Sequence, residues 1–168
     1  MGTFAVQIAK SFGAEVTGVC STKNVDLIRS IGADQVIDYT QENFTESGPR
    51  YDLFFDLVGH HSLAACARVL NPNGIYIMAG VLGAPDGEWI GPLAPLLKTL
   101  AWSPFASRKM VVFLAKIRSE DLTVLCELMV AGKVTPVIET RYRLREVPEA
   151  IRYLGQKHTR GKVVINLE

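Results

Sequence analysis

Residues 1–20, MGTFAVQIAKSFGAEVTGVC, give the clearest indication of how this chain folds. Apolar residues in its first half are spaced three and four positions apart, as on one face of a helix, so a helix is expected over residues 3–12. Gly13 marks the end of that helix, because glycine is common immediately after a helix C-terminus. The β-branched run in residues 15–20 then predicts a strand. The stretch is therefore a helix followed by a strand, and we expect that another strand would normally precede Met1.

The rest of the chain continues to alternate between strands and helices. Strands that are apolar almost throughout, such as DLFFDLV, are typical of a sheet covered on both faces. Their alternation with helices predicts one α/β domain over residues 1–168, with a doubly wound parallel sheet that lacks the usual first strand and most of the glycine-rich turn. The expected strands are 35–38, 51–58, 75–79, 111–115, 136–142 and 161–167; the expected helices are 23–30, 61–69, 119–131 with a Ser-Glu-Asp cap, 147–154 and an interrupted helix over 92–107, with a turn at 71–74.

The composition indicates an ordinary globular protein. Of the 168 residues, 48% are hydrophobic and 21% are charged, and the formal net charge is +1, which suits one sizeable core. This balance gives no reason to expect nucleic acid or an acidic membrane surface as a partner. The most apolar stretch, residues 91–105, is interrupted by three prolines and a lysine, so no membrane span is expected.

The cysteine and histidine pattern gives no sign of a metal site. Cys20, Cys66 and Cys126 are odd in number and widely spaced, so neither structural zinc nor a disulfide framework is expected. His60 and His61 are adjacent, but no cysteine or carboxylate cluster accompanies them. Free thiols and the lack of a basic run before an apolar core lead us to expect a cytoplasmic protein without a signal peptide.

The ends of the strands are where a doubly wound sheet binds its ligands. Gly2 stands directly before the first helix, where the last glycine of a phosphate-binding turn would lie. One glycine is weak evidence, because a helix can begin at a glycine without binding anything.

The residues after the strand at 15–20 are more informative. Proteins that bind NAD usually place an acid about 20 residues after the glycine turn, where it binds the ribose hydroxyls. Here Ser21, Thr22 and Lys23 supply hydroxyls and an ammonium group instead. Such donors suit a 2′-phosphate, so NADP(H) is favoured over NAD(H), and S-adenosylmethionine is disfavoured. The alternative is that Ser21 and Thr22 cap the next helix, which does not exclude phosphate binding.

The segment GTFAVQIAKSFGAEVTGVCSTKNVDLIRSIGADQVIDYT resembles the cofactor domain of medium-chain dehydrogenases/reductases, a Rossmann-type domain. Within this family it is similar to the zinc-independent quinone oxidoreductases and their NAD(P)-dependent alcohol dehydrogenase relatives. The resemblance covers essentially the whole chain and continues through YDLFFDLVG, LNPNGIYIMAG, ELMVAGKVTPVIE and HTRGKVVI.

The resemblance implies a preceding strand, a turn of the form GASGGVG and a separate GroES-like catalytic domain, none of which is in residues 1–168. The chain would be the NADPH-binding portion of an oxidoreductase that transfers hydride to a small-molecule quinone, enone or carbonyl. A sheet without its central strand has two open edges, so the chain is expected to close the gap by rearrangement, to borrow a strand in a homodimer by strand exchange, or to be poorly stable. The alternatives are a non-catalytic nucleotide-binding or oligomerising module and another Rossmann-type enzyme such as a methyltransferase.

The resemblance also implies a set of cofactor-binding residues, but it names no catalytic residue. Gly2 matches the last glycine of the turn, Ser21 and Tyr39 match positions that hold the 2′-phosphate, and Lys23 adds a cation. The other matched positions are Leu57, Val58 and Gly59 against the cofactor, Gly80 and Val81 near the nicotinamide ribose, Phe113 and Ala115 at the nicotinamide carboxamide, and His158, Thr159 and Arg160 near the cofactor. Leu57 replaces a frequent asparagine, and Thr159 replaces the usual alanine.

Each of these residues also has a simpler interpretation when it is taken alone. Tyr39 would be an ordinary surface tyrosine, and Val58 and Phe113 would be core residues. Arg160 and Lys162 would belong to a solvated turn. Only their joint placement at strand ends, together with the family resemblance, favours a cofactor site.

Overall fold

The computed structural model describes residues 1–46, 48–59, 61–79, 109–112, 118–156 and 159–167. The chain divides into two compact units. The first unit combines Met1–Thr40 with Arg118–Glu168, and the second is Gln41–Ile117.

Strands and helices alternate along the described parts of the chain, as the sequence predicts. In chain order they are α1 (Gly2–Ser11), β1 (Thr17–Cys20), a 3₁₀ turn (Thr22–Asn24), α2 (Val25–Ser30), β2 (Gln35–Asp38), β3 (Tyr51–Asp56), α3 (Leu63–Arg68), β4 (Leu70–Met78), β5 (Lys109–Val112), α4 (Ser119–Val130), β6 (Ile138–Arg143), a second 3₁₀ turn (Leu144–Glu146), α5 (Val147–Gly155) and β7 (Lys162–Asn166).

Every pairing between the described strands is parallel, which confirms the predicted α/β class. β1 pairs with β2, β4 lies between β3 and β5, and β6 pairs with β7. The described strands therefore form three sheets and not one continuous sheet. Among them, β1 and β3 each have a strand partner on one side only.

Two glycines determine how α1 ends and how α2 packs. Gly13 adopts φ +80°, a left-handed conformation that lets the chain leave α1 toward β1. At Gly18 in β1, an added Cβ would collide with the side chain of Ile28 on α2. The close approach of α2 to β1 therefore requires glycine at position 18.

A carboxylate fastens α1 to the loops that flank β1. Lys10 Nζ lies 2.8 Å from both carboxylate oxygens of Asp34. The backbone N–H of Val16 donates to Asp34 Oδ2 at 2.7 Å. The bond from Lys10, followed by that from Val16, holds the pKa of Asp34 below its ordinary value. Asp34, in the loop before β2, therefore bonds both to α1 and to the residue that precedes β1.

The second unit contains a small core between α3, β3 and β4. Cys66, Leu70 and Tyr76 are no more than 1% exposed. The ring of Phe54 meets Tyr76 edge-on at a centroid distance of 5.4 Å, and Phe44 meets Phe54 edge-on at 5.7 Å. Aromatic pairs of this kind typically contribute about 0.5–1.5 kcal/mol beyond the burial of their surface.

The predicted turn at residues 71–74 is instead a bulge inside β4. Tyr51 pairs with Leu70 and Leu53 pairs with Ile75, so the register shifts between these pairs. Asn73 adopts φ +66° within the bulge. Turn-forming residues were correctly located, but the pairing with β3 on both sides makes them part of one strand.

The predicted cap of α4 also differs from the structure. The N-cap is Arg118, and no side chain caps the helix there. Ser119 is already helical, and Glu120 and Asp121 place negative charge in the first turn, where the helix dipole favours it. The interrupted helix expected over 92–107 and the end of the strand expected over 111–115 lie outside the described residues.

Candidate nucleotide-binding site

Side chains from distant parts of the first unit meet at the carboxyl end of β1. Ser21 follows β1 directly, and its Oγ accepts a hydrogen bond from Asn24 Nδ2 at 3.3 Å. Asn24 Oδ1 accepts a bond from Arg160 Nε at 3.0 Å, although the two residues are 136 positions apart. We refer to Ser21, Asn24 and Arg160 as the donor cluster. It combines a hydroxyl and a guanidinium at the edge where parallel α/β sheets bind ligands.

Glu139 of β6 fixes the backbone that carries Arg160. Its Oε2 accepts bonds from the N–H of Arg160 at 2.7 Å and from that of Gly161 at 3.3 Å. Burial acts to raise the pKa of Glu139, but the bonds from Tyr153 and from these two amides lower it overall. The carboxylate is therefore ionised at neutral pH and accepts hydrogen bonds from the loop between α5 and β7.

A second polar group lies at the carboxyl end of β2. Asp38 Oδ1 accepts from the N–H of Thr40 at 3.0 Å and from its hydroxyl at 2.7 Å. The hydroxyls of Thr22 and Thr40 are 2.9 Å apart. Hydrogen bonds from the side chain of Thr22, and then from that of Thr40, lower the pKa of Asp38. The family resemblance points to Tyr39, which follows this acid directly, and not to Asp38 itself.

The other predicted phosphate-binding residues of this unit are accessible. Lys23 is exposed in the 3₁₀ turn after Ser21. Tyr39 is 57% exposed, and its backbone N–H donates to the carbonyl of Cys20 at 3.0 Å. That bond joins the ends of β1 and β2. Both side chains are thus free to contact a ligand at the same sheet edge.

In the second unit, one buried carboxylate organises the turn after β3. Asp56 is 7% exposed, and its Oδ1 accepts from the N–H of Val58 at 2.9 Å and from that of Gly59 at 2.8 Å. Its Oδ2 accepts from the hydroxyl of Tyr76 at 2.8 Å. Gly59 adopts φ +72°, which glycine tolerates without strain. The family resemblance points to Leu57, Val58 and Gly59 but not to Asp56, whose carboxylate bonds to the backbone of this turn.

Two neutral groups surround that carboxylate. Burial, followed by the negative charge of Asp56, raises the pKa of the Cys66 thiol to about 11. Burial and the hydrogen bond to Asp56 raise the pKa of Tyr76 far above its ordinary value. Both groups therefore keep their protons at neutral pH, so Tyr76 remains a hydrogen-bond donor to Asp56.

The structure brings together part of the predicted site. Ser21 and Arg160 lie in one cluster, Tyr39 and Lys23 are accessible in the same unit, and Gly2 is the first residue of α1. Thr159 is half-buried beside Arg160, and the Leu57–Gly59 turn belongs to the other unit. Gly80, Val81, Phe113, Ala115 and His158 lie outside the described residues.

The described residues give no sign of a metal site or of a membrane-spanning helix. They contain no group of three or more His, Cys, Asp and Glu side chains that could hold a metal ion. Within the same residues, no helix has the length and apolar character needed to cross a membrane.

Sequence comparisons show which proteins the chain resembles. Residues 31–165 match the family described as zinc-binding dehydrogenase. The mitochondrial NAD(P)H oxidoreductase RTN4IP1 of Mus musculus is 34% identical over 187 residues, which cover 99% of this chain and 45% of that protein. The chloroplastic quinone-oxidoreductase QR1 of Triphysaria versicolor is 32% identical, covering 98% of this chain and 49% of that protein. The chain thus spans about half the length of the curated relatives it matches.

Solved structures show the same architecture. The quinone oxidoreductase from Coxiella burnetii aligns with a TM-score of 0.78 at 26% identity, covering 99% of this chain and 49% of that chain. A thermostable alcohol dehydrogenase from Pyrobaculum aerophilum aligns with a TM-score of 0.70 at 26% identity, covering 98% and 46%. These similarities identify the α/β arrangement as the Rossmann-like nucleotide-binding fold of such enzymes.

The expectation of a cytoplasmic protein is contradicted by these relatives. The similar oxidoreductases of Mus musculus and Bos taurus are mitochondrial. Targeting segments are removed from mature proteins and lie outside their folded domains, so the composition of a nucleotide-binding domain does not record its compartment.

The family match extends over most of the chain, and it agrees with the relatives and with the fold of the solved structures. The chain therefore belongs to the zinc-binding dehydrogenase family, within the medium-chain dehydrogenases/reductases that include quinone oxidoreductases and alcohol dehydrogenase-like proteins.

Proposed function

We propose that this chain is the NADPH-binding portion of an oxidoreductase that transfers hydride to a quinone, enone or carbonyl substrate. The observation that carries the proposal is the donor cluster of Ser21, Asn24 and Arg160 at the carboxyl end of β1. The relatives named as NAD(P)H oxidoreductase and quinone-oxidoreductase support the reaction class.

The donor cluster suits the 2′-phosphate of NADPH. Asn24 uses Arg160 Nε, so the two terminal guanidinium nitrogens have no partner among the described residues. Ser21 Oγ accepts from Asn24, which leaves its own O–H able to donate. A guanidinium with two free nitrogens is well suited to bind phosphate oxygens in a bidentate arrangement. Asn24 therefore acts as a spacer that orients both donors toward one ligand.

The neighbouring acid is compatible with this assignment. Asp38 accepts bonds from Thr40 and is stabilised in its charged form by Thr22. Its hydrogen-bonding capacity at Oδ1 is therefore directed to protein groups. It still contributes negative charge to this edge, which opposes a phosphate and limits the preference for NADPH over NADH.

A bound nicotinamide supplies the hydride, and the protein supplies binding, orientation and exclusion of water. In this chain, the donor cluster would bind the adenosine end of the cofactor. The described residues do not fit a zinc ion, because no group of three or more candidate ligands occurs among them. The proposal therefore involves no step at zinc.

The test is a fluorescence titration of the folded full chain with NADPH and with NADH. We expect tighter binding of NADPH, and we expect Arg160→Ala to raise its Kd by about tenfold, because a charge-assisted phosphate contact is lost. Binding of NADH should change little. Arg152→Ala is the matched control, since Arg152 is an exposed arginine paired with Glu149 on α5. Failure of the chain to bind either nucleotide would reject the proposal.

A further inference from the structure

We propose that Asp56 is a positioning residue, whose carboxylate sets the conformation of the Leu57–Gly59 turn so that this turn can contact the nicotinamide cofactor. The inference rests on the proposed function for the identity of the ligand. The fastening of the turn itself rests only on the observed hydrogen bonds.

The carboxylate holds the turn from inside. Asp56 is the last residue of β3, and one of its oxygens accepts the N–H groups of both Val58 and Gly59, at 2.9 and 2.8 Å. Two amides that converge on one oxygen fix the direction of two successive peptide units. The backbone of the turn is thereby determined before any ligand arrives.

Backbone bonds place this turn beside the end of the next strand. The carbonyl of Asp56 accepts from the N–H of Ala79 at 2.9 Å, immediately after β4. Asp56 itself pairs with Met78 in the parallel register of β3 and β4. The turn therefore starts at the carboxyl edge of the sheet, which is where this class of fold binds its ligands.

The carboxylate is in turn fixed by a buried tyrosine. Tyr76 is 1% exposed and donates its hydroxyl to the second oxygen of Asp56 at 2.8 Å. The ring of Tyr76 is packed edge-on against Phe54 in the core. A rigid core residue therefore determines the rotamer of Asp56, and Asp56 determines the turn. Val58 is 60% exposed at the tip of this arrangement and is accessible to a ligand.

The charge of Asp56 and the length of its side chain contribute separately to the conformation of the turn. Two substitutions distinguish these contributions. Asp56→Asn keeps an acceptor for the two amides and places an NH₂ donor beside the Tyr76 oxygen, so the turn is preserved without the charge. Asp56→Glu keeps the charge but adds one methylene, which displaces the carboxylate from the two amides. A positioning role predicts that the asparagine variant resembles the wild type and that the glutamate variant does not.

The experiment measures two quantities on the folded full chain. The first is the Kd for NADPH by fluorescence titration, and the second is amide hydrogen exchange at Val58 and Gly59 without nucleotide. We expect Asp56→Glu to raise the Kd by about tenfold and to accelerate exchange at both amides by a similar factor. Asp56→Asn should stay within about threefold of the wild type in both measurements.

The matched control is the same pair of substitutions at Asp52. This residue lies on the same strand, but it is exposed, and among the described residues its carboxylate accepts only from the side chain of Asn71, at 2.8 Å. Both Asp52 variants should bind NADPH like the wild type. The core amide of Phe54 should exchange equally slowly in all variants, because a purely structural role would accelerate exchange there as well.

The outcomes separate the two proposals. Wild-type protein that binds neither nucleotide rejects the proposed function, while exchange at Val58 and Gly59 still tests the fastening of the turn. Wild-type protein that binds NADPH, with Asp56→Glu binding equally well or Asp56→Asn binding about tenfold more weakly, overturns the positioning role.

Discussion

The side-chain amide of Gln7 hydrogen-bonds to both backbone groups of Thr135, which is 128 residues away. Gln7 Nε2 donates to the carbonyl of Thr135 at 3.0 Å, and Gln7 Oε1 accepts from its N–H at 2.7 Å. Gln7 Nε2 also donates to the carbonyl of Thr3 at 2.9 Å, so the amide is anchored in α1. The Gln7 side chain thus bonds the backbone C=O and N–H that a neighbouring strand would otherwise pair, in the segment that leads into β6.

We expect Gln7→Leu to lower the free energy of unfolding by about 1–3 kcal/mol, because it leaves the N–H and C=O of Thr135 without these partners. Urea unfolding monitored by circular dichroism measures the change. Gln156→Leu is the control, since this glutamine is exposed beyond α5. Equal stability of the two variants would show that the amide contributes nothing beyond its volume.

The elements of the fold were predictable where the signal is local. The strand at 35–38 and the helix beginning at residue 147 occur where the apolar pattern places them. The bulge at 71–74 was not predictable, because it depends on the register of Leu53 with Ile75 across two strands. Register is a tertiary property that turn-forming residues alone do not specify.

The candidate site was predictable in outline only. The place of Ser21 in the site could be predicted, because it stands directly after an apolar strand. The role of Asn24 depends on its hydrogen bond with the distant Arg160. The role of Asp56 depends on its hydrogen bonds with amides after β3 and with a tyrosine of β4. One signal in the sequence does indicate both acids: Asp38 and Asp56 are each the last residue of their strand, in QVID and YDLFFD. An acid at that place can accept hydrogen bonds from the backbone N–H groups that follow the strand, as both of these do.

The second prediction concerns Gly161, which follows Arg160 in the donor cluster. An added Cβ would lie 2.5 Å from the carbonyl oxygen of Val137, so the loop must move. Gly161→Ala should therefore lower the free energy of unfolding by about 1–3 kcal/mol and weaken NADPH binding, because it displaces the Arg160 guanidinium. Gly155→Ala provides the control, since nothing lies within 4 Å of a Cβ there. An alanine at 161 that leaves both quantities unchanged would contradict the tight approach.

The third prediction follows from the lowered pKa of Asp34. Its folded-state pKa lies below the ordinary 3.8, so the unfolded chain binds the proton more readily. The contribution of Asp34 to stability is therefore complete above that value and is lost as the pH falls through the lower folded-state pKa. Urea unfolding should show a larger difference between the wild type and Asp34→Asn at neutral pH than at about pH 2.5. Glu42→Gln, at an exposed position between β2 and β3, controls for the loss of a surface charge. A difference that is equal at the two pH values would mean that the ion pair with Lys10 does not stabilise the fold.

The fourth prediction tests the charge of Asp38 at the proposed phosphate site. Its pKa is lowered, so the carboxylate is ionised at neutral pH and opposes a nearby phosphate. Asp38→Asn should tighten NADPH binding by about twofold to fivefold and leave NADH binding nearly unchanged. The measurement is the same fluorescence titration, repeated at high salt, where the gain should shrink. Equal tightening of both nucleotides would place Asp38 away from the phosphate.

The last prediction concerns the three thiols, which differ in their exposure to solvent. Cys126 is exposed, whereas Cys20 and Cys66 are buried. Burial, followed by the charge of Asp38, raises the pKa of Cys20, and the pKa of Cys66 is raised to about 11. The thiolate is the nucleophile, so a thiol with a pKa of about 11 is ionised in only about one molecule in a thousand at pH 8. A colorimetric disulfide reagent should therefore modify one thiol quickly in the native chain and all three in denaturant. Cys126→Ser should abolish the fast reaction. If mass spectrometry instead located the fast modification at Cys66, the core around Tyr76 and Asp56 would open readily in solution, and the carboxylate could not hold the turn after β3 in one conformation.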